Sequence, residues 1–107
     1  MAPTVPVLTV VDLERQLKQP GKPFVLDVRE PWEFAQGHVP DAQLVPLGEL
    51  ELRIGEVPRD RPVAVVCQSG QRSLAAAAYL IARGYREVAN VDGGTTAWVK
   101  QGFPISR

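Results

Sequence analysis

The segment PVAVVCQSGQRS, residues 62–73, contains the features that decide the fold. It begins with a continuous apolar run, residues 62–66, which is typical of a strand buried on both faces. Proline is tolerated at the first position of such a strand, because its missing N–H is not needed there. A polar turn follows, and residues 73–83 then have the alanine-rich composition of a helix that Gly84 ends. The segment therefore predicts a strand, a polar loop and a helix in succession.

The same alternation continues on both sides of this segment. Short apolar runs predict four further strands, at residues 7–8, 24–28, 43–45 and 88–91. Apolar spacing and capping signals predict further helices at residues 10–18, 31–36, 48–54 and 95–101. This order predicts an α/β fold in which a five-stranded parallel sheet carries helices on both faces. We expect a single domain over residues 1–107, with its core at about 8–104, because this length is common for one domain.

The charge and hydropathy of the chain argue against two classes of partner. Twelve basic residues balance twelve acidic ones, and no run of Lys or Arg is present. Nucleic acids and anionic membranes favour proteins with a basic excess or patch, so we expect neither as a partner. The longest apolar run, residues 74–82, is about half as long as a bilayer span.

The single cysteine and single histidine limit the possible chemistry. One Cys excludes an intrachain disulfide and a CxxC redox pair. Cys67 and His38 together are too few for a four-ligand structural zinc site, so we expect no metal and no cofactor. Residues 1–6 do not resemble a secretory signal peptide, and a free thiol stays reduced inside the cell. These features favour a location in the cytoplasm.

Polar clusters follow three of the predicted strands. They comprise residues 27–30, 67–73 and 92–94. Because ligands of parallel sheets bind beyond the carboxyl ends of the strands, we expect the chemistry at this edge.

Cys67 is the candidate nucleophile in the second of these clusters. A tight turn between a strand and a helix can aim successive backbone N–H groups at one point, and Gly70 is free to adopt the positive φ that this requires. The N-terminus of the next helix and the Arg72 guanidinium add positive charge. Such surroundings lower a cysteine pKa from ~8.5 to roughly 3.5–7.5. The alternative is a small buried apolar cysteine.

This loop resembles the active-site loop of the rhodanese family, in its single-domain sulfurtransferase form. The likeness extends from about residue 8 to residue 104 and includes DVRE (27–30), EF (33–34), GHVP (37–40) with Ala42, the Cys67 loop, and GG (93–94) with Trp98. At Asp41 the family usually has glycine, a difference that we expect to affect only a turn.

The resemblance implies a two-step transfer of sulfur. The Cys67 thiolate would take the outer sulfur of a small anionic donor such as thiosulfate and release sulfite. A thiophilic acceptor, which is cyanide in vitro and a thiol or a protein in the cell, would then remove the sulfur from the Cys67 persulfide. The residues that would bind the donor are Gln68, Ser69, Gly70, Gln71, Arg72 and Ser73.

Individual roles differ among these residues and their neighbours. We expect Arg72 to orient the anionic donor, the alternative being an exposed residue at a helix start. Ser73 either bonds the loop or the sulfur, or caps the helix. We expect Asp27 and Arg29 to pair with each other or with the loop and so to hold its shape.

Three other conspicuous residues have structural interpretations. Sulfur transfer from thiosulfate needs no base once the thiol is ionised, so we expect His38 to belong to a turn. We expect Trp32 and Trp98 to pack in the core.

Two other functions remain open. Cysteine-dependent phosphatases and arsenate reductases also use a loop between Cys and Arg, but generally with five intervening residues, whereas this loop has four, residues 68–71. A tighter loop suits a sulfur atom better than a phosphate group. A persulfide relay domain that serves a protein partner is compatible with all of these residues.

Overall fold

The computed structural model describes residues 4–107, and its five strands form one sheet. The strands are β1 (Val7–Leu8), β2 (Phe24–Asp27), β3 (Gln43–Leu44), β4 (Val63–Val66) and β5 (Val88–Val91). Their order across the sheet is β1-β5-β4-β2-β3, and every pairing is parallel. The predicted five-stranded parallel sheet is therefore confirmed.

Helices cover both faces of this sheet. They are α1 (Val10–Gln16), α2 (Pro31–Gln36), α3 (Gln71–Ala82) and α4 (Gly94–Lys100). On one face, Ala76, Ala77 and Leu80 of α3 pack into one apolar cluster. On the other face, Leu13 of α1 and Trp98 of α4 belong to a second cluster. Within residues 4–107, no helix has both the length and the apolar character that crossing a bilayer requires.

Strand β4 lies at the centre of the sheet and brings the polar clusters together. All four of its residues are buried, as the apolar run predicted. Its neighbours are β2 and β5, so the carboxyl ends of the three strands are adjacent. Asp27, Cys67 and Asn90 lie at or beside these ends.

The prediction of a helix over residues 48–54 is wrong. The structure has two short 3-10 turns instead, Leu47–Glu49 and Ile54–Glu56. Each turn contains a glycine, which lowers helix propensity, and Pro46 and Pro58 lie close on either side. The segment reaches the core mainly through Leu50 and Val57, which are both buried.

Helix α3 begins at Gln71, two residues earlier than the sequence predicted. Gly70 precedes it with φ of 108°, a left-handed conformation that favours glycine. Arg72 and Ser73 consequently lie in the first turn of the helix, and their side chains have the fixed directions of helical residues.

The expectation that both tryptophans pack in the core is wrong for one of them. Trp98 is buried and its indole N–H donates to the carbonyl of Pro104 at 2.7 Å. Trp32 is 65% exposed. Because α2 has only six residues, it buries one side, and that side carries Glu33 and Phe34.

Candidate active site

The Cys67 side chain lies at the carboxyl end of β4, beneath a loop whose donors face inward. Its Sγ accepts a hydrogen bond from the Gly70 N–H at 3.1 Å and lies 3.2 Å from the Ser73 hydroxyl oxygen. The residue is fully buried, whereas Ser69 and Gln71 of the same loop are exposed. The thiol is therefore inside the protein but next to polar donors.

These donors decide the ionisation of the thiol. Burial alone raises the pKa of Cys67, because a charged sulfur loses its hydration. The Ser73 hydroxyl and the backbone N–H groups of Ser73, Gly70 and Ser69 act in the opposite direction, since they stabilise a negative sulfur. The donors outweigh burial, and the pKa of Cys67 is lowered from its ordinary value. The arrangement favours a thiolate.

Helix α4 holds the loop in this orientation. The Thr95 N–H and hydroxyl donate to the Cys67 carbonyl at 2.9 and 3.1 Å, and the Thr96 N–H donates to the Gln68 carbonyl at 3.0 Å. These bonds fix the Cys67 and Gln68 carbonyls against the first turn of α4. A Cβ at Gly94 would lie 2.4 Å from the Cys67 carbonyl oxygen, so the close approach of the two segments requires glycine there.

Asn90 of β5 is a residue of the site that the sequence analysis missed. Its Nδ2 donates to the Gly70 carbonyl at 3.2 Å, which directs its Oδ1 toward Ser73. The Ser73 hydroxyl donates to that Oδ1 at 2.5 Å, while its oxygen stays within reach of Cys67 Sγ. Ser73 has one hydroxyl proton, so Asn90 and a thiolate compete for it. The signal in the sequence was a polar side chain inside a buried strand.

Asp27 and Arg29 form a buried ion pair that supports the loop. Arg29 Nη2 lies 2.9 Å from Asp27 Oδ2, and both side chains are almost completely buried. Arg29 Nη1 donates to Gln68 Oε1 at 3.1 Å, and its Nη2 also donates to the Gly37 carbonyl at 2.9 Å. The two residues thus pair with each other and with the loop. The sequence analysis had left these arrangements as alternatives.

Arg72 is engaged by Glu33, a contact that the sequence analysis did not predict. Its Nη1 and Nη2 donate to the two carboxylate oxygens of Glu33 at 2.7 and 2.8 Å. The hydrogen bond from Arg72 is the main reason that the pKa of Glu33 falls to about 2. The same bond, followed by the negative charges of Glu33, Cys67 and Glu30, raises the pKa of Arg72. The charge of a Cys67 thiolate is thus among the charges that favour the protonated form of Arg72.

His38 lies in an antiparallel bridge with Ser106 rather than in the expected turn, which begins at Pro40. Its ring stacks on that of Phe34 with 3.6 Å between the ring centroids, and its Nδ1 lies 2.9 Å from the Phe34 carbonyl oxygen. Its backbone pairs with Ser106. In the part of the chain that the structure describes, no three His, Cys, Asp or Glu residues are grouped as metal ligands would be.

A comparison of the sequence with models of protein families shows which family the chain belongs to. The sequence profile of the rhodanese-like domain matches residues 9–101. The chain belongs to the rhodanese-like domain family. The resemblance found in the sequence is therefore confirmed.

Relatives and solved structures agree with this assignment. A sulfurtransferase of Allochromatium vinosum is 42% identical over 93 residues, which are 87% of each chain. The thiosulfate sulfurtransferase GlpE of Pseudomonas syringae pv. syringae is 39% identical over 82 residues, 77% of this chain and 76% of that protein. The crystal structure of a rhodanese-related protein from Thermoplasma volcanium superimposes with a TM-score of 0.87 at 33% identity, covering 94% of this chain and 97% of the other.

Proposed function

We propose that this rhodanese-family protein transfers sulfane sulfur through a persulfide on Cys67. The observation that carries the proposal is the position of Cys67 Sγ, which accepts the Gly70 N–H at 3.1 Å and lies 3.2 Å from the Ser73 hydroxyl oxygen. Covalent catalysis needs an activated nucleophile, and these donors lower the pKa of the thiol. The sulfurtransferase relatives support the same reaction class.

The first step loads sulfur onto the enzyme. The Cys67 thiolate attacks the outer sulfur of thiosulfate or a similar small anion and forms a new S–S bond. The S–S bond within the donor breaks, and its electron pair leaves with sulfite. Charge is conserved, since a thiolate and a dianion give a persulfide anion and a dianion. The loop and the first turn of α3 bind the sulfur donor, and Arg72 supplies the positive charge. The binding residues are Gln68, Ser69, Gly70, Gln71, Arg72 and Ser73.

The second step returns the enzyme to its starting state. The terminal sulfur of the persulfide carries negative charge, which the inward-facing N–H groups stabilise. An acceptor such as cyanide or a thiolate attacks that sulfur, and the electron pair of the S–S bond returns to Cys67. Cyanide then leaves as thiocyanate.

Access to the sulfur requires a local rearrangement. Cys67 is fully buried, so a donor reaches it only when part of the covering loop moves aside. Ser69 and Gln71 are exposed and are the loop residues with the fewest constraints from packing. The single reduced thiol that this chemistry needs also supports our proposal that the protein works in the cytoplasm.

A relay of persulfide sulfur to a protein acceptor is the second candidate function. The observation that favours it is Trp32, which is 65% exposed and directly precedes Glu33, the partner of Arg72. Exposed tryptophan is enriched at protein interfaces. Faster transfer to a protein thiol than to cyanide would distinguish the relay from the thiosulfate and cyanide reaction.

Mass spectrometry of the intact protein tests the proposed persulfide. After thiosulfate treatment, wild-type protein should gain the mass of one sulfur atom, and cyanide should remove it. Cys67→Ser should gain nothing, because an alcohol at this position cannot form the adduct. Wild-type protein that has first been alkylated provides a control with an unchanged sequence. A sulfur adduct that persists in Cys67→Ser, or phosphate-ester hydrolysis faster than sulfur transfer, would reject the proposal.

A further inference from the structure

We propose that Glu33 determines the charge of the sulfur donor, so that the site favours monoanionic sulfane-sulfur compounds, such as organic persulfides and thiosulfonates, over dianions. This inference rests on the proposed persulfide chemistry of Cys67. It assigns Glu33 a positioning role, because the carboxylate acts through Arg72 rather than on the reacting sulfur.

The first argument is the geometry of the ion pair. Both terminal nitrogens of Arg72 are bound by Glu33, at 2.7 and 2.8 Å. A bidentate pair of this kind is strong and fixes the plane of the guanidinium. The Glu33 carboxylate is itself held, since it also accepts the Glu30 N–H at 3.0 Å. The cation that a donor meets is therefore already neutralised by a carboxylate that does not swing away freely.

The second argument is the balance of charge around the sulfur. The two arginines near the loop, Arg29 and Arg72, are each paired with a carboxylate. Glu30 adds a further negative charge that acts on Arg72, and so does the Cys67 thiolate. Two arginines thus stand against four negative groups around the loop, namely Asp27, Glu30, Glu33 and the Cys67 thiolate. Such a field repels a dianion more strongly than a monoanion of similar size.

Two small donors separate the effect of charge from the chemistry. Thiosulfate is a dianion, and the methanethiosulfonate anion has a methyl group in place of one charged oxygen. In both, the thiolate attacks the outer sulfur and one S–S bond breaks. Its electron pair leaves with sulfite in the first case and with methanesulfinate in the second. The ratio of the two kcat/KM values reports how the site treats the additional charge.

Glu33→Gln removes the charge with little change of shape. A glutamine can still accept the Glu30 N–H, because Gln serves in capping boxes as Glu does. It can also keep one hydrogen bond to Arg72. The loss of one carboxylate charge near the donor should shift the kcat/KM ratio about fivefold toward thiosulfate. That shift corresponds to about 1 kcal/mol.

The control is Glu56→Gln, the same substitution in another arginine–carboxylate pair. Glu56 binds Arg53 and lines a cavity beside Phe24, the first residue of β2. It therefore lies toward the amino ends of the strands, whereas Cys67 lies at the carboxyl end of β4. We expect an unchanged donor ratio in this variant. We also expect the shift in Glu33→Gln to shrink as salt is added, because salt screens the interaction between exposed charges.

The outcomes separate this inference from the function on which it rests. If neither donor adds sulfur to Cys67, the persulfide chemistry itself is wrong. If wild-type protein is loaded by the donors but Glu33→Gln keeps the wild-type ratio, Glu33 has no role in selecting the donor. An equal shift in Glu56→Gln would likewise overturn the proposal. Equal losses with both donors would assign Glu33 a merely structural role.

Discussion

Two arginine–carboxylate pairs flank the same loop, and their surroundings differ greatly. The pair between Arg29 and Asp27 is 2% and 0% exposed, while that between Arg72 and Glu33 is 37% and 11% exposed. The Arg29 guanidinium also bonds the Gln68 side chain and a backbone carbonyl. The Arg72 guanidinium has Glu33 as its hydrogen-bonding partner and adjoins solvent.

The difference separates a fixed support from an adjustable contact. A buried ion pair is costly to break, because the remaining charge stays without water. A pair whose guanidinium adjoins solvent costs less to break, because water can hydrate the arginine. We therefore propose that Arg29 holds the loop in shape and that Arg72, while paired with Glu33, is the cation that faces the sulfur donor.

Breaking the buried pair should give the largest effect. Arg29→Met leaves the Asp27 carboxylate buried and unpaired, and it removes the support of Gln68. We expect the free energy of unfolding to fall by about 3 kcal/mol or more. Urea unfolding measures it. The matched control is Arg53→Met, which removes an arginine that is paired with carboxylates on the surface, namely Glu49 and Glu56. Equal losses in the two variants would show that Arg29 is not a special support.

Breaking the Arg72–Glu33 pair should affect activity more than stability. We expect Arg72→Met to lower the free energy of unfolding by about 1 kcal/mol or less. Loading from thiosulfate should slow about tenfold or more, because the hydrogen bond from the Arg72 guanidinium to the thiosulfate anion is lost. The negative charge of Glu33 remains and repels that anion. Single-turnover loading followed by mass spectrometry measures this rate. Unchanged loading alongside a large loss of stability would reverse the roles assigned to the two arginines.

The parts of the site that lie in one continuous segment could be predicted from the sequence. The apolar run of β4, the polar turn and the glycine are contiguous, so the position of Cys67 and the inward-facing loop could be predicted. Asn90 and Glu33 could not be placed in the same way. They lie 17 and 39 residues from the side chains they bind, Ser73 and Arg72, and only the order of strands brings them together.

Local signals failed where the core or a turn decided the conformation. Residues 48–54 have a helical pattern, yet Leu50 and Val57 reach the core from a pair of short 3-10 turns.

The departure from the family at Asp41 does fall in a turn. Asp41 has φ of 68° and is the only residue other than glycine with positive φ in the described chain, which explains the family's preference for glycine there.

The smallest effect should be the acid dependence of the Arg72–Glu33 pair. The pKa of Glu33 is lowered from 4.5 to about 2 in the folded protein, chiefly by Arg72, so the carboxylate stabilises the fold above pH 4.5 and ceases to do so as the pH falls through 2. We therefore expect wild-type protein to exceed Glu33→Gln by about 1 kcal/mol in unfolding free energy at neutral pH, because the exposed guanidinium is partly screened by water. The difference should disappear during acidification. Urea unfolding of both proteins across this range measures it, and Glu56→Gln, at a carboxylate that is 54% exposed, should show a smaller change. A difference between wild type and Glu33→Gln that stays constant with pH would mean that the charge of Glu33 contributes nothing, and the contrast between the two pairs would then rest on burial alone.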